Sequence, residues 1–230
     1  MAKYEFLLLD ADGTLFDFAR CEREALCDAL RAFGIEPSEE RIATYSAIND
    51  RFWKMLERGE IGKSELRVAR FAEFCRHYGF DVDVPRLAVG YTDALSTKGY
   101  LISGALEVCR ELAKHCKLYI ITNGIATVQR GRFEPSPLRE FVQELFISEE
   151  IGAEKPSLLY FDTVASRIPE FAREKALVVG DSLSSDMRGG INAGIDTCWF
   201  DPKNKEIPQD LPITYVIRTL EELLPLVLGA

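Results

Sequence analysis

Asp10 and Asp12 stand two residues apart at the end of an apolar run and are followed by Gly13 and Thr14. Far along the chain, Thr122-Asn123-Gly124 closes a second apolar run and Lys155-Pro156 precedes a helical pattern. Gly180-Asp181-Ser182 closes a third run, with Asp186 five residues beyond Asp181. Carboxylates, an ammonium and a hydroxyl in this combination answer one chemical problem. A carboxylate nucleophile and a phosphate dianion repel each other until their charge is neutralised. A divalent cation and Lys155 would supply that neutralisation. Mg²⁺ suits such donors, because it takes hard oxygen ligands in an octahedron and keeps several waters. Thr122 would donate its hydroxyl to a phosphate oxygen, and the backbone N–H groups around Asn123 and Gly124, at a helix N-terminus, would add further bonds.

The two neighbouring aspartates would need different protonation states. A nucleophile must be ionised, whereas a general acid must hold a proton for the leaving alkoxide. Metal ligation would keep Asp10 ionised, and Asp12, beside negative charge with its side chain off the metal, is the one expected to carry the proton. The same Asp12 would then act as base on the water that hydrolyses an aspartyl phosphate. Each motif also has a plainer use, since Asp, Asn and Gly favour turns and Asp181-Ser182 would cap a helix. Their joint occurrence, each at a boundary of a predicted element, favours the catalytic reading.

A scaffold must bring these distant residues together. Tyr4 to Leu9 reads as a fully buried strand ending in a turn. From Phe18 to about Ser96 the pattern is helical: Ala25, Leu26, Ala29, Leu30 and Phe33 form one stripe, and Ile42, Tyr45, Phe52 and Leu56 another. Phe71, Phe74, Cys75 and Tyr78 form a third stripe, and Leu87, Tyr91, Ala94 and Leu95 a fourth. Ser38, with Glu39 and Glu40 after it, reads as a helix start. After Gly99 helix and strand alternate: helices at Ala105–His115 and Leu158–Ile168, strands at Leu118–Ile121, Leu145–Ile147, Ala176–Val179, Thr197–Phe200 and Thr214–Ile217. That alternation predicts an α/β fold, a Rossmann-like doubly wound parallel sheet, interrupted by an inserted α-helical domain. In such sheets ligands bind at the carboxyl ends of the strands, where the three motif loops fall.

Composition narrows the partners. With 28 Lys and Arg against 37 Asp and Glu, the net charge of -9 disfavours a nucleic-acid polymer or an anionic membrane as partner. No apolar run approaches the roughly eighteen residues of a membrane span, and the N-terminal run is too short for a secretion signal, so a cytoplasmic protein is expected. The six cysteines contain no CxxC and are expected as buried free thiols, and the presence of only two histidines argues against a His/Cys zinc site.

The four segments resemble the four signature motifs of the haloacid dehalogenase superfamily, and the resemblance spans essentially the whole chain. It implies Asp10 as nucleophile, Asp12 as acid/base, and Thr122 and Lys155, with Asn123 beside them, on the substrate phosphate. It further implies Asp181 as a Mg²⁺ ligand with Asp10 and the Asp12 carbonyl, and Asp186 at or just outside the metal shell. Residues 17–98 resemble a cap domain, and residues 1–16 and 99–230 the Rossmann-like catalytic core. Dehalogenases lack the second aspartate, so Asp12 points to phosphoryl chemistry, as in phosphatases and phosphomutases. Asn49 to Trp53, Leu145 to Pro156 and Gly189 to Trp199 are similar to bacterial pyrimidine 5′-nucleotidases, although some of those carry an acidic residue where this chain has Gly13. The expected substrate is accordingly a small phosphorylated metabolite, first a pyrimidine nucleoside 5′-monophosphate, with acylneuraminate phosphate or phosphoglycolate as alternatives. A phosphate-ligand binding protein without catalysis is the alternative of another class. Phe16, Phe18 and Trp53 are candidates to stack on a ring, against the ordinary role of packing a core. Monomer and homodimer both remain open.

Overall fold

The computed structural model describes residues 2–206 and 209–229. Its centre is a sheet of six parallel strands: β1 (Phe6–Asp10), β2 (Lys117–Thr122), β3 (Val142–Ile147), β4 (Ala176–Gly180), β5 (Asp196–Phe200) and β6 (Tyr215–Ile217). The order is β3-β2-β1-β4-β5-β6. The chain builds outward from β1 to β3 and then restarts on the other side of β1, so the strand order reverses between β1 and β4. Crevices form at such a reversal, outside the carboxyl ends of the strands. Asp10, Thr122 and Gly180 are the last residues of β1, β2 and β4.

The continuous apolar text of β1 follows from burial on both faces, which removes the polar alternation of a half-exposed strand. Leu7 and Leu9 enter one core, together with Ala105, Val108 and Val227. Phe6 and Leu8 enter the opposite core, with Tyr160, Phe161 and Val164. The helices after the insert are α5 (Ala105–Leu112), α6 (Ala126–Phe133), α7 (Ser148–Ile151), α8 (Leu158–Arg167), α9 (Arg188–Asn192) and α10 (Leu223–Leu228), and those before them are α1 (Phe18–Ala32), α2 (Glu39–Glu57), α3 (Lys63–Tyr78) and α4 (Val84–Ser96). The predicted helix over 105–115 stops at Leu112, and the strand expected from Leu145 begins earlier, at Val142. Ser38 caps α2 as expected, its side chain accepting from the Arg41 N–H, with Glu39 and Glu40 in the first turn.

The four helices α1 to α4 share a third core of their own, built from the predicted stripes: Ala25, Leu26, Tyr45, Phe52, Phe71, Phe74, Leu87 and Tyr91. The chain enters this unit through Leu15 to Asp17 and leaves it through Thr97 to Ile102. The two linkers run side by side: Ile102 N donates to Leu15 O at 2.9 Å and Asp17 N to Tyr100 O at 2.9 Å. Helix α4 also leans on α6. A Cβ on Gly131 would lie 2.8 Å from the Ser96 carbonyl oxygen, so the two helices meet backbone to backbone. All six cysteines are free, five of them buried and Cys27 half-buried. Among the described residues no helix is long and apolar enough to cross a membrane.

Candidate active site

Lys155 organises the site. Its ammonium, 1% exposed, donates to Asp10 Oδ1 at 2.7 Å, Asp186 Oδ1 at 2.6 Å and the Ile121 carbonyl at 2.9 Å. Three donors meet three acceptors, and the lysine side chain is fixed in one orientation. Burial opposes the charge, but Asp10 and Asp186 outweigh it and hold the ammonium above its ordinary range. The backbone of Lys155 is clamped as well. The Asn123 side chain donates through Nδ2 to Lys155 O and accepts from Lys155 N through Oδ1, both at 2.9 Å. The Asn123 side chain thus positions Lys155, and only its backbone is left for the phosphate role expected from the sequence.

Asp181 approaches from the other side. Its carboxylate lies against the turn after β1: a Cβ on Gly13 would sit 2.6 Å from Asp181 Oδ2, and Gly13 has φ +88°. Only glycine suits both the conformation and the space. Trp199 Nε1 donates to the Asp181 carbonyl at 3.0 Å and pins the loop. Asp186 is held at both oxygens, by Lys155 and by the Ser182 N–H at 3.2 Å. One carboxylate oxygen from each of Asp10, Asp181 and Asp186 lies within 4.8 Å of the others.

Charge in this cluster is unbalanced, since one ammonium faces three carboxylates. Burial first, then Lys155 in opposition, then the neighbouring Asp186 and Asp181, leave Asp10 well above the usual aspartate range. Burial and Asp186 push Asp181 up to about 7. A further cation would relieve both. The donors are all hard oxygens, the Asp181 carboxylate accepts no hydrogen bond among the described residues, and Lys155 uses only Oδ1 of Asp10. The residues present fit a hard divalent ion such as Mg²⁺.

Asp12 is placed differently from the sequence expectation. Negative charge is near, since Asp12 adds to the upward push on Asp181, but the carboxylate also meets a buried guanidinium: Arg132 Nη2 donates to Asp12 Oδ1 at 2.6 Å and Oδ2 at 2.8 Å, and Gln129 Nε2 donates to Oδ2 at 2.6 Å. Both donors come from α6. The Arg132 guanidinium lies over the Phe16 ring, 5.2 Å from its centroid, which places Phe16 in a packing role. Neither Gln129 nor Arg132 was singled out in the sequence; their i, i+3 spacing on a polar helix was the only signal.

Thr122 is 1% exposed, and its N–H is fixed by the Tyr160 hydroxyl at 3.1 Å, which itself donates to Phe146 O. The Gly124 N–H, expected to face a phosphate, donates to Thr122 Oγ1 at 3.0 Å. That bond fixes the Thr122 hydroxyl oxygen as acceptor and leaves its own O–H to donate.

The four-helix unit covers the site. Glu57 accepts from Ser184 at 2.7 Å, and Lys63, 9% exposed, donates to Ser148 at 2.7 Å. Arg67 pairs with Glu149. Under this roof runs a narrow slot of about 20 Å³, lined by Asp12, Phe18, Trp53, Arg70, Gln129 and Arg132 among others. Phe18 and Trp53 therefore face the gap between helices and sheet.

Comparison with known proteins agrees with this geometry. Residues 4–194 match the haloacid dehalogenase-like hydrolase family. The chain is 38% identical to the HAD-hydrolase YfnB of Bacillus subtilis over 97% of this chain and 95% of that one. It is 37% identical to the pyrimidine 5′-nucleotidase PynA of Streptococcus pneumoniae, over 96% and 94%. It is 30% identical to the pyrimidine 5′-nucleotidase YjjG of Escherichia coli, over 96% of each. The crystal structure of YfnB bound to magnesium, which reveals interdomain movement in that protein, aligns with a TM-score of 0.93 over 97% of this chain and 98% of that one. With the motif residues converging at the strand reversal and the match running through nearly the whole core and insert, the chain belongs to the haloacid dehalogenase-like hydrolase family.

Proposed function

We propose that the protein is a Mg²⁺-dependent phosphomonoesterase that works through an aspartyl phosphate on Asp10, with pyrimidine nucleoside 5′-monophosphates as substrates. The observation that carries the reading is the Lys155 ammonium bridging Asp10 and Asp186 beside Asp181, because it orients the Asp10 carboxyl group where a cation and a phosphate would share it. Asp10, Asp181 and the Asp12 carbonyl would hold Mg²⁺, with Asp186 in or next to the shell. When bound, the ion offsets the charge of the phosphate dianion.

The chain's own groups do the rest. Lys155 and the Thr122 hydroxyl orient the phosphoryl oxygens, and the free oxygen of Asp10 attacks phosphorus. As the ester P–O bond breaks, Asp12 gives its proton to the leaving alcohol oxygen. Asp12 then takes a proton from water, which attacks the aspartyl phosphate and releases inorganic phosphate with Asp10 regenerated. Asp12 must turn one oxygen away from Arg132 and Gln129 to do this. In this reading residues 17–98 act as a cap that opens about the paired linkers to admit substrate and closes to exclude water.

The pyrimidine assignment rests on the similarity to two pyrimidine 5′-nucleotidases over nearly the full chain. Rates on uridine and thymidine 5′-monophosphates, a sugar phosphate, phosphoglycolate and an acylneuraminate phosphate at fixed Mg²⁺ test it. The nucleotides are expected to give the highest kcat/KM. A higher value on another ester overturns the substrate, and binding without turnover on the whole panel overturns the enzyme.

A further inference from the structure

Arg70 of α3 is 1% exposed, yet its guanidinium is only partly partnered. Nη1 donates to Asn49 Oδ1 at 2.6 Å, whereas Nε and Nη2 have no hydrogen-bond partner among the described residues. Asn49, 2% exposed, donates in turn to Glu22 Oε1 at 2.7 Å, and Glu22 also accepts from Ser46. Glu22 of α1, Asn49 of α2 and Arg70 of α3 thus form a buried relay that ends in a cation. The rings of Tyr91 and Phe71 lie 5.0 and 5.4 Å from the guanidinium carbon and restrict its orientation.

A buried charge with unpaired donors is costly, and the relay fixes Arg70 instead of satisfying it. The Nε–H and one Nη2–H share an edge of the planar group, so the free part is a two-donor fork suited to oxygen acceptors. Arg70 lines the slot that also holds Asp12, Phe18, Trp53 and Arg132. An acid that protonates the leaving oxygen has the rest of the leaving alcohol beyond it, on the slot side. At about 20 Å³ the slot holds roughly one water, so the helical unit has to shift before a nucleoside enters.

We infer that Arg70 is the specificity-determining residue for the part of the substrate beyond the phosphate, its Nε/Nη2 fork taking an oxygen-acceptor edge of the leaving group. On the nucleotidase reading, on which this rests, that edge is the O2 carbonyl of the pyrimidine ring, with N3 beside it in cytosine. Phe18 and Trp53 give the slot flat apolar walls that suit such a ring. A phosphate ester that ends in a carboxylate would offer the fork the same chemistry.

The test compares uridine 5′-monophosphate with ribose 5-phosphate, which presents the same primary phosphate without the base. Arg70→Lys keeps a cation near Asn49 and removes the fork. The ratio of kcat/KM for the two esters is expected to fall about tenfold or more in the variant, chiefly through KM. Circular dichroism and a thermal melt confirm the fold. A second measurement needs no variant: a uridine monophosphate analogue with hydrogen in place of the O2 oxygen should lose a similar factor on the native enzyme. A folded variant with an unchanged ratio overturns the proposal, and so does an analogue as good as its parent. If the native enzyme instead prefers a carboxylate-bearing phosphate and Arg70→Lys erases that preference, the nucleotide reading fails while the role of Arg70 stands.

Discussion

A single nitrogen of Arg132 spans both carboxylate oxygens of Asp12, at 2.6 and 2.8 Å. Because Arg132 belongs to α6, which touches the end of α4 through Gly131, the carboxylate expected to move protons is tied to the helix on which the inserted unit leans. Arg132→Lys keeps a cation but loses the geometry that reaches both oxygens. We expect kcat to fall by about ten- to a hundredfold with KM for phosphate esters little changed, read from steady-state kinetics. An unaltered kcat would show that the Arg132 pair does not position Asp12.

Asp10→Asn removes the proposed nucleophile and keeps the shape. Turnover of any phosphate ester should drop by roughly 10⁴-fold or more with the melting curve close to that of the native chain. Acid quench of the native enzyme on ³²P-labelled substrate should trap a labelled protein, and the variant should trap none.

Lys155→Met leaves Asp10 and Asp186 buried without their cation. Breaking a buried pair in this way costs about 3–5 kcal/mol, measurable as a lower urea midpoint. Added Mg²⁺ should recover more stability in this variant than in the native chain, because it replaces the missing charge. Equal gains in both would place the ion elsewhere.

The pH dependence follows from Asp181. In the metal-free protein its carboxyl is raised from the ordinary 3.8 to about 7, so between those values the fold holds a proton that the unfolded chain has released. The stabilisation from that group is full below 3.8 and lost as pH rises through about 7. Mg²⁺ needs the carboxylate ionised, so its apparent affinity should weaken as pH falls below about 7. Melts with EDTA and with Mg²⁺ at pH 5 and pH 8 should show the larger metal-induced rise at pH 8. The reverse order would contradict the assignment of Asp181 to the ion.

Gly13→Ala forces a side chain into the left-handed turn and against the Asp181 carboxylate. A loss of about 1–2 kcal/mol in stability is expected, together with weaker Mg²⁺ binding. Calorimetric titration with Mg²⁺ separates the two, since a purely conformational effect would leave the affinity unchanged.

Much of this arrangement was legible in the amino-acid text. Strands buried on both faces write themselves as unbroken apolar runs, and the polar residue that ends each run lies at the carboxyl end of its strand, which located Asp10, Thr122 and Asp181. The helical stripes of residues 18–96 were equally plain, since an apolar residue every third or fourth position has one reading. What the text hid were polar and charged groups turned inward from helices. Arg70, Glu22 and Asn49 look like ordinary solvated positions until three helices pack and face them inward, and Arg132 and Gln129 are polar residues whose only sign was spacing. Helices α7 and α9, of four and five residues, are too short to show a period.

The linkers that hydrogen-bond at Leu15–Ile102 and Asp17–Tyr100 carry an evolutionary consequence. An excursion of some eighty residues departs and returns at almost the same point, so the sheet experiences it as a tight turn whatever its length. Bundles of other shape could be grafted at that doorway, or the present one remodelled, while the machinery beneath stayed untouched. New substrates could then arise without re-inventing the chemistry.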